Sequence, residues 1–257
     1  MSRSKQDRME KMMAFLREKQ MAHLSDLSAL LGVSEMTVRR YAGECGPDVS
    51  LMGSHVIFLS GAAGDGAVTY EVSQEAVRNP GKKERIGRKA AAMVEEEDVI
   101  FIDAGTTTPF LARQIPDHIR FTAVCCSLNV FMMLSQNPNC TILLNGGKFH
   151  RDSQIFSSRH TLDVIRDIRI TKAFISAAGI SEKLGLTCFN PYETDLKKEV
   201  IKYSHHVYVV ADSTKLDTVK IAFFADITDT DTLITDTGIT PAHHKWLGNA
   251  GIQVVTA

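Results

Sequence analysis

Apolar residues at the start of the chain recur at helical spacing. Met9, Met12, Met13 and Leu16 fall at i, i+3, i+4 and i+7, which predicts an amphipathic helix over residues 4–19. A methionine stripe at this spacing is ordinary core. Leu24, Leu27, Leu30 and Leu31 repeat the pattern in a second, shorter helix. Gly32 follows, where a turn between crossing helices needs a residue free to adopt positive φ. Ser34 is placed to cap a third helix through its hydroxyl. The period then changes: Val49, Leu51 and Val56–Leu59 predict a two-stranded wing turning near Gly53-Ser54. Three helices and a wing make a winged helix-turn-helix.

Residues 61–80 carry Gly, Ala, Ser and Asn and end in the turn pair Asn79-Pro80, which places a linker there. The run GKKERIGRKAAAMVEEED then begins densely basic and continues as a good helix former. Such a charge run reads as a solvated face, with room for an anion-binding role at the entrance to a second domain. From Asp98 onward, apolar strand-like runs stand at 99–102, 121–125, 141–145, 172–176, 206–210, 232–235 and 252–255. Helical stretches such as 109–115, 128–136 and 195–204 separate many of them. Continuous apolar strands alternating with helices predict a mostly parallel sheet covered on both faces. No internal repeat is present.

Composition narrows the class. The 257 residues are 44% hydrophobic, enough for one large or two ordinary domains with a real core. Net charge is −1, so any nucleic-acid contact must be local rather than a bulk property. The first 45 residues hold eight Lys or Arg against six Asp or Glu, a surplus too small to decide. Five cysteines without a CxxC pair fit a reduced cytoplasmic setting better than a disulfide framework or a zinc site. The charged N-terminus lacks an apolar signal core, and no apolar run is long enough to span a bilayer.

Candidate chemistry sits in two places. Ser34, Met36, Thr37, Arg39 and Arg40 occupy the start and face of the third helix, where a recognition helix meets a DNA major groove. Arginines there contact phosphate or guanine edges, while Met36 and Thr37 meet bases or thymine methyls. The plainer alternative for Arg39-Arg40 is a solvated helix end.

The second place is the set of turns after the strands, where ligands bind in parallel sheets. Gly105, Thr106, Thr107 and Thr108 follow Asp103 at a strand-to-helix turn. Main-chain N–H groups and hydroxyls at such a turn surround a phosphate, with Thr108 as N-cap and Pro109 at the first helical position. The same string also reads as a simple capping turn. Gly146, Gly147 and Lys148 follow the third strand, Ala177, Ala178 and Gly179 the fourth, and Asp212 to Lys215 the fifth. Small residues admit a ligand and lysine supplies charge for a phosphate; Asp212 is suited to bond a sugar hydroxyl or orient Lys215. Four such turns predict a binding crevice. The pairs His205-His206 and His243-His244 read as surface or core histidines rather than ligands, and Glu95 to Asp98 as a solvated helix end. No metal or cofactor site, nucleophile elbow or Walker loop is predicted.

LGVSEMTVRR resembles the recognition unit of DeoR-family bacterial transcription regulators. FIDAGTTTPF, Ser127-Leu128-Asn129, LLNGGKFH, AFISAAGI and VVADSTK resemble that family's sugar-phosphate-sensing domain, in matching order. The resemblance implies an α/β protein: a winged helix-turn-helix over 1–60, a linker over 61–80, and a mostly parallel α/β effector-binding and oligomerisation domain over 81–257. That last domain would be similar in fold to ribose-5-phosphate isomerase and coenzyme A transferases. The resemblance further implies that Asp103, Gly105, Thr106, Thr107 and Thr108 form the phosphate loop, followed by Asn129, Gly146 and Gly147. Asp212 and Lys215 would act in the inducer response, with Lys83 and Arg85 near another position so implicated. FTAVCCSLNVFMML and GLTCFN resemble the deoxyribonucleoside-operon branch, which implies deoxyribose 5-phosphate as effector. Two departures stand out: Tyr41-Ala42 where the family usually has Asp-Leu, and Gly53-Ser54 where the wing usually has a glycine pair.

The expected function is a DNA-binding regulator without enzymatic activity, a repressor released from its operator by a phosphorylated sugar. The alternatives are an activator of the same family, or a sugar-phosphate isomerase using Asp103, Asp212 or Glu193 as base. A double-stranded operator, a small effector and a homo-oligomer are the expected partners, because one helix-turn-helix reads too few base pairs for useful specificity.

Overall fold

The computed structural model describes residues 3–19, 21–45, 49–52, 55–58 and 79–257. The chain divides into two compact units, Met1–Thr69 and Tyr70–Ala257. The expected wing turn at Gly53-Ser54 and most of the expected linker lie outside the described residues.

In the smaller unit α1 (Arg3–Lys19), β1 (Met21–His23), α2 (Leu24–Leu31), α3 (Glu35–Glu44), β2 (Val49–Met52) and β3 (His55–Phe58) follow in order. The strands form one antiparallel sheet, ordered β1-β3-β2. The three residues of β1 are too few to show a period of two, so only pairing with β3 makes them a strand. Met12, Leu16, Leu24, Leu27, Val38, Tyr41 and Val56 pack into one core. Gly32 adopts φ 63°, ψ 42° and ends α2, its N–H donating to the Ser28 carbonyl. Ser34 caps α3, its hydroxyl accepting from the Thr37 N–H at 3.4 Å.

The larger unit begins with α4 (Pro80–Ala91), β4 (Val99–Ile102), α5 (Thr108–Gln114), β5 (Phe121–Cys125), α6 (Leu128–Leu134) and β6 (Cys140–Leu144). It continues through the hairpin β7 (Lys148–His150) and β8 (Ile155–Ser157), then α7 (His160–Asp167), β9 (Ile170–Ser176), β10 (Gly179–Ser181) and β11 (Gly185–Cys188). It ends with α8 (Thr194–Tyr203), β12 (Ser204–Val210), β13 (Ala222–Ala225), β14 (Thr232–Thr235), α9 (Pro241–Asn249) and β15 (Gln253–Thr256). Seven strands form one parallel sheet in the order β15-β14-β12-β9-β4-β5-β6, and these are the seven apolar runs of the sequence.

Alternation along β4 sends Ile100 and Ile102 to one face and Phe101 to the other. The first face carries α4, α5 and α6 through residues such as Ile86, Leu111 and Val130; the second carries α7, α8 and α9 through Ile165, Val200 and Trp246. A Cβ on Gly87 would lie 2.7 Å from the Leu111 nitrogen, so glycine lets α4 and α5 cross this closely.

The chain winds outward from β4 to β6, then crosses back so that β9 lies on the other side of β4. Strand order therefore reverses between β4 and β9, and their carboxyl ends part to open a crevice. The β7-β8 hairpin and the β10-β11-β13 sheet were not among the expected elements. Their strands are three or four residues long, too short for a pattern to register.

Three local expectations are corrected. The basic run is not wholly solvated: Arg85, Arg88 and Lys89 are exposed, but Lys83 is fully buried and Lys82 is ion-paired to Asp236 at 2.9 Å. Asp98 does not belong to a solvated helix end, because it is buried and paired with Lys172 at 2.8 Å. Thr108 is not the cap of its helix: Thr107 holds that position.

Candidate functional site

In the smaller unit the faces of α3 separate cleanly. Val38, Tyr41 and Ala42 are buried, while Met36, Arg39 and Arg40 project into solvent, Met36 with 76% of its surface exposed. This solvent-facing side of α3 is the one available to a partner. Thr37 is half-buried, its hydroxyl 3.1 Å from that of Ser34, so Ser34 and Thr37 are first of all capping residues. Tyr41 accounts for the departure from Asp-Leu: its ring belongs to the core, with the Arg40 guanidinium 5.9 Å from the ring centroid.

In the larger unit the ends of β4, β9 and β12 surround a small, partly open cavity. Gly105, Thr106, Thr107, Asp212 and Lys215, expected from different turns, line it together. A Cβ on Gly105 would come within 2.9 Å of the Ser176 side chain, so this turn needs glycine to lie against the end of β9. Thr108 is buried and its hydroxyl has no hydrogen-bond partner among the described residues.

Asp103 and Asn129 stand behind the cavity as supports. The Asn129 amide donates to the Gly105 carbonyl at 2.9 Å, and its own oxygen accepts from the Val130 N–H at 2.8 Å. Asp103 is buried, accepting from the Ser176 N–H and hydroxyl, each at 2.9 Å, and from the Lys197 ammonium. Burial alone would lower the Lys197 pKa, but the charges of Asp103 and Glu193 hold it well above the ordinary lysine value. Lys197 is thus a fully buried cation, a partner for Asp103 that sequence reasoning missed.

Asp212 accepts from the Thr214 N–H at 3.0 Å and from its hydroxyl, shaping the helical turn Ser213–Lys215. The next support is Asp236, at the end of β14. It accepts from the Ser213 N–H at 2.7 Å, the Gly238 N–H at 2.9 Å and the Lys82 ammonium. Burial raises its pKa, but these donors outweigh it and hold the carboxyl down to about 2. Lys82 and Asp236 were not anticipated. The only sequence signal was a lysine in the basic run and an aspartate after an apolar strand.

The remaining expected residues lie apart. Gly146 and Gly147 do not line the cavity. Gly147, at φ 136°, lets the chain pass against the Ser157 carbonyl, a position that no side chain would fit. Lys148 opens β7 and lines a neighbouring cavity with Asp103, Arg159 and Tyr192 rather than this one. Lys83 is inside α4 and Arg85 is exposed, and neither lines the cavity. New to the site are Ser153, Ser176 and Cys188, and Glu193, expected only as a possible isomerase base, joins them in its lining. Burial pushes the Cys188 thiol up to about 12 and the Glu193 carboxyl above the ordinary range, with Lys197 offsetting the latter only in part. Among the described residues no group of three or more His, Cys, Asp or Glu is arranged to hold a metal, and no helix is long and apolar enough to cross a membrane.

Residues 8–40 match the model of the DeoR-like helix-turn-helix domain, and residues 78–237 that of the DeoR C terminal sensor domain. The "Deoxyribose operon repressor" of Escherichia coli (strain K12) is 34% identical over 236 residues, 92% of this chain and 92% of its own. The "HTH-type transcriptional regulator GolR" of Listeria innocua serovar 6a is 30% identical, over 96% of this chain and 100% of its own. Among solved structures, ribose 5 phosphate isomerase A from Neisseria gonorrhoeae superposes on 53% of this chain and 53% of its own, at 16% identity and a TM-score of 0.40.

Proposed function

We propose, from the premise that this chain belongs to the DeoR family of bacterial transcriptional regulators, that it represses a sugar or deoxyribonucleoside catabolic operon and leaves its operator when a phosphorylated sugar enters the crevice. The crevice carries this proposal: it gathers a threonine turn, Asp212 and Lys215 from separate strand ends into one cavity. Thr106, Thr107 and the main chain after Gly105 hold the phosphoryl group, and Lys215 supplies charge. Deoxyribose 5-phosphate is the favoured effector, given the relative that represses the deoxyribose operon.

Residues 1–60 serve as the DNA-binding domain, 61–80 as linker, and 81–257 as effector-binding and oligomerisation domain. Met36, Arg39 and Arg40 meet the major groove of a two-fold operator read by a homo-oligomer, in the cytoplasm. Effector binding weakens operator affinity because the effector has different affinities for two conformations. The chain is a regulator rather than an enzyme. Of the carboxylates an isomerase would use, Asp103 is committed to Lys197 and Ser176 and is not free to act as a base, while the turnover assay decides for Asp212 and Glu193.

The test is an operator-binding titration against a panel of sugar phosphates at fixed ionic strength. Release by deoxyribose 5-phosphate, and not by unphosphorylated deoxyribose, is expected. Turnover of ribose 5-phosphate abolished by Asp212→Asn would replace this reading with the isomerase one. Two variants refine it. Arg40→Ala weakens operator binding by about 1–3 kcal/mol, the worth of a bidentate base contact, and an unchanged isotherm would remove Arg40 from that role. Lys215→Ala leaves the operator isotherm in place while blunting release by the sugar phosphate. Loss of operator binding instead would mean that Lys215 is structural.

A further inference from the structure

Glu193 differs from the other acidic groups around the crevice. Its side chain is only 10% exposed and lines the cavity. One carboxyl oxygen accepts from the Asn190 amide at 2.7 Å. The other has no donor among the described residues nearer than the Lys197 ammonium at 3.9 Å, and that ammonium is already committed to Asp103 and to the Ser176 carbonyl at 3.1 Å. Glu193 thus keeps one carboxyl oxygen without a close protein donor at the cavity, where a group that enters can bond it.

The surrounding groups fix where Glu193 stands. Tyr192, its neighbour, shares a 2.7 Å hydrogen bond with the Ser153 hydroxyl, donates to Asp152 at 3.2 Å, and stacks on His150 with ring centroids 3.9 Å apart. The β7-β8 hairpin is thereby tied to the turn Pro191–Glu193, and Ser153 reaches the cavity lining with 1% of its surface exposed. The cavity therefore combines donors and a cation (Thr106, Thr107, Lys215) with an acceptor that no anion would approach. A phosphate satisfies the first set and a hydroxyl donor the second. One molecule that carries both is a phosphorylated polyol.

We infer that Glu193 is the residue that selects a sugar phosphate over bare phosphate, its carboxyl accepting a hydrogen bond from a hydroxyl of the bound sugar. This deepens the effector reading above and rests on it. Burial raises the pKa of this carboxyl, with Lys197 offsetting it in part, which agrees with a place beside a phosphoryl group.

Calorimetric titration of the full-length chain with 2-deoxyribose 5-phosphate and, separately, with inorganic phosphate tests it. Glu193→Leu should weaken the sugar phosphate at least tenfold while inorganic phosphate stays within about twofold, so the ratio of the two affinities collapses. Glu193→Gln, which keeps an amide in place of the carboxyl, should lose less; it carries the test should the leucine variant fail to fold. Equal loss of both ligands would make Glu193 a structural residue and overturn the inference, as would no loss of either. If the unmodified protein binds inorganic phosphate but none of the sugar phosphates, the effector reading itself fails, and this inference with it.

Discussion

Lys197→Met is expected to destabilise the larger unit by about 3–5 kcal/mol, the range seen when one partner of a buried ion pair is removed. Asp103 is 2% exposed and would keep the Ser176 N–H and hydroxyl as donors, but its charge would lose the one cation paired with it among the described residues. The sole tryptophan of the chain, Trp246, sits in the same core as Val200 of α8, so its fluorescence during urea unfolding reports on this unit. The double variant Asp103→Asn/Lys197→Met should recover most of the loss, because exchanging a whole buried pair for neutral groups of similar size is often close to neutral. A midpoint unchanged by Lys197→Met would show that the pair contributes no charge interaction to stability.

Tyr41→Asp, which installs the residue that DeoR-family recognition helices usually carry, is expected to abolish operator binding. In this chain the position is 3% exposed and packed among Met12, Leu16, Leu27 and Val38. Loss of an aromatic ring from a core costs about 3–5 kcal/mol, and burial of a carboxylate without a partner adds to that. A unit as small as Met1–Thr69 has little stability in reserve. Circular dichroism should show lost helix, with the Trp246 transition as control for the larger unit. Tyr41→Phe, which keeps the ring, should bind the operator normally. Operator binding by Tyr41→Asp at the unmodified level would mean that the tyrosine replaces the aspartate without a packing role.

Both predictions concern residues whose environment local pattern does not reveal. Lys197 lies in a helix with Lys198, Glu199 and Lys202, where a lysine reads as solvated, and its partner is 94 residues earlier in the chain. Lys82 likewise hides in the basic run, and Glu193 stands in the sequence only as one of three possible bases, with nothing in its spacing to bring it to the cavity. By contrast, the seven sheet strands are legible because parallel strands buried on both faces must be apolar throughout. The helix-turn-helix is legible because its turn needs a residue like Gly32 and its cap a residue like Ser34, each a chemical requirement of one position.

The sequence by itself thus determined the first three helices, the chain order of the seven sheet strands, the two-part organisation, and the turns from which Gly105, Thr106, Thr107, Asp212 and Lys215 reach one cavity. These follow from periodicity and from conformational demands that act within a few residues. Only the tertiary structure decided which charges are buried and with whom: Asp103 with Lys197, Lys82 with Asp236, and Tyr41 turned into the core. The reason is physical: the cost of burying a polar group is settled by partners brought together through the fold, and those partners leave no trace in the spacing of their own segments.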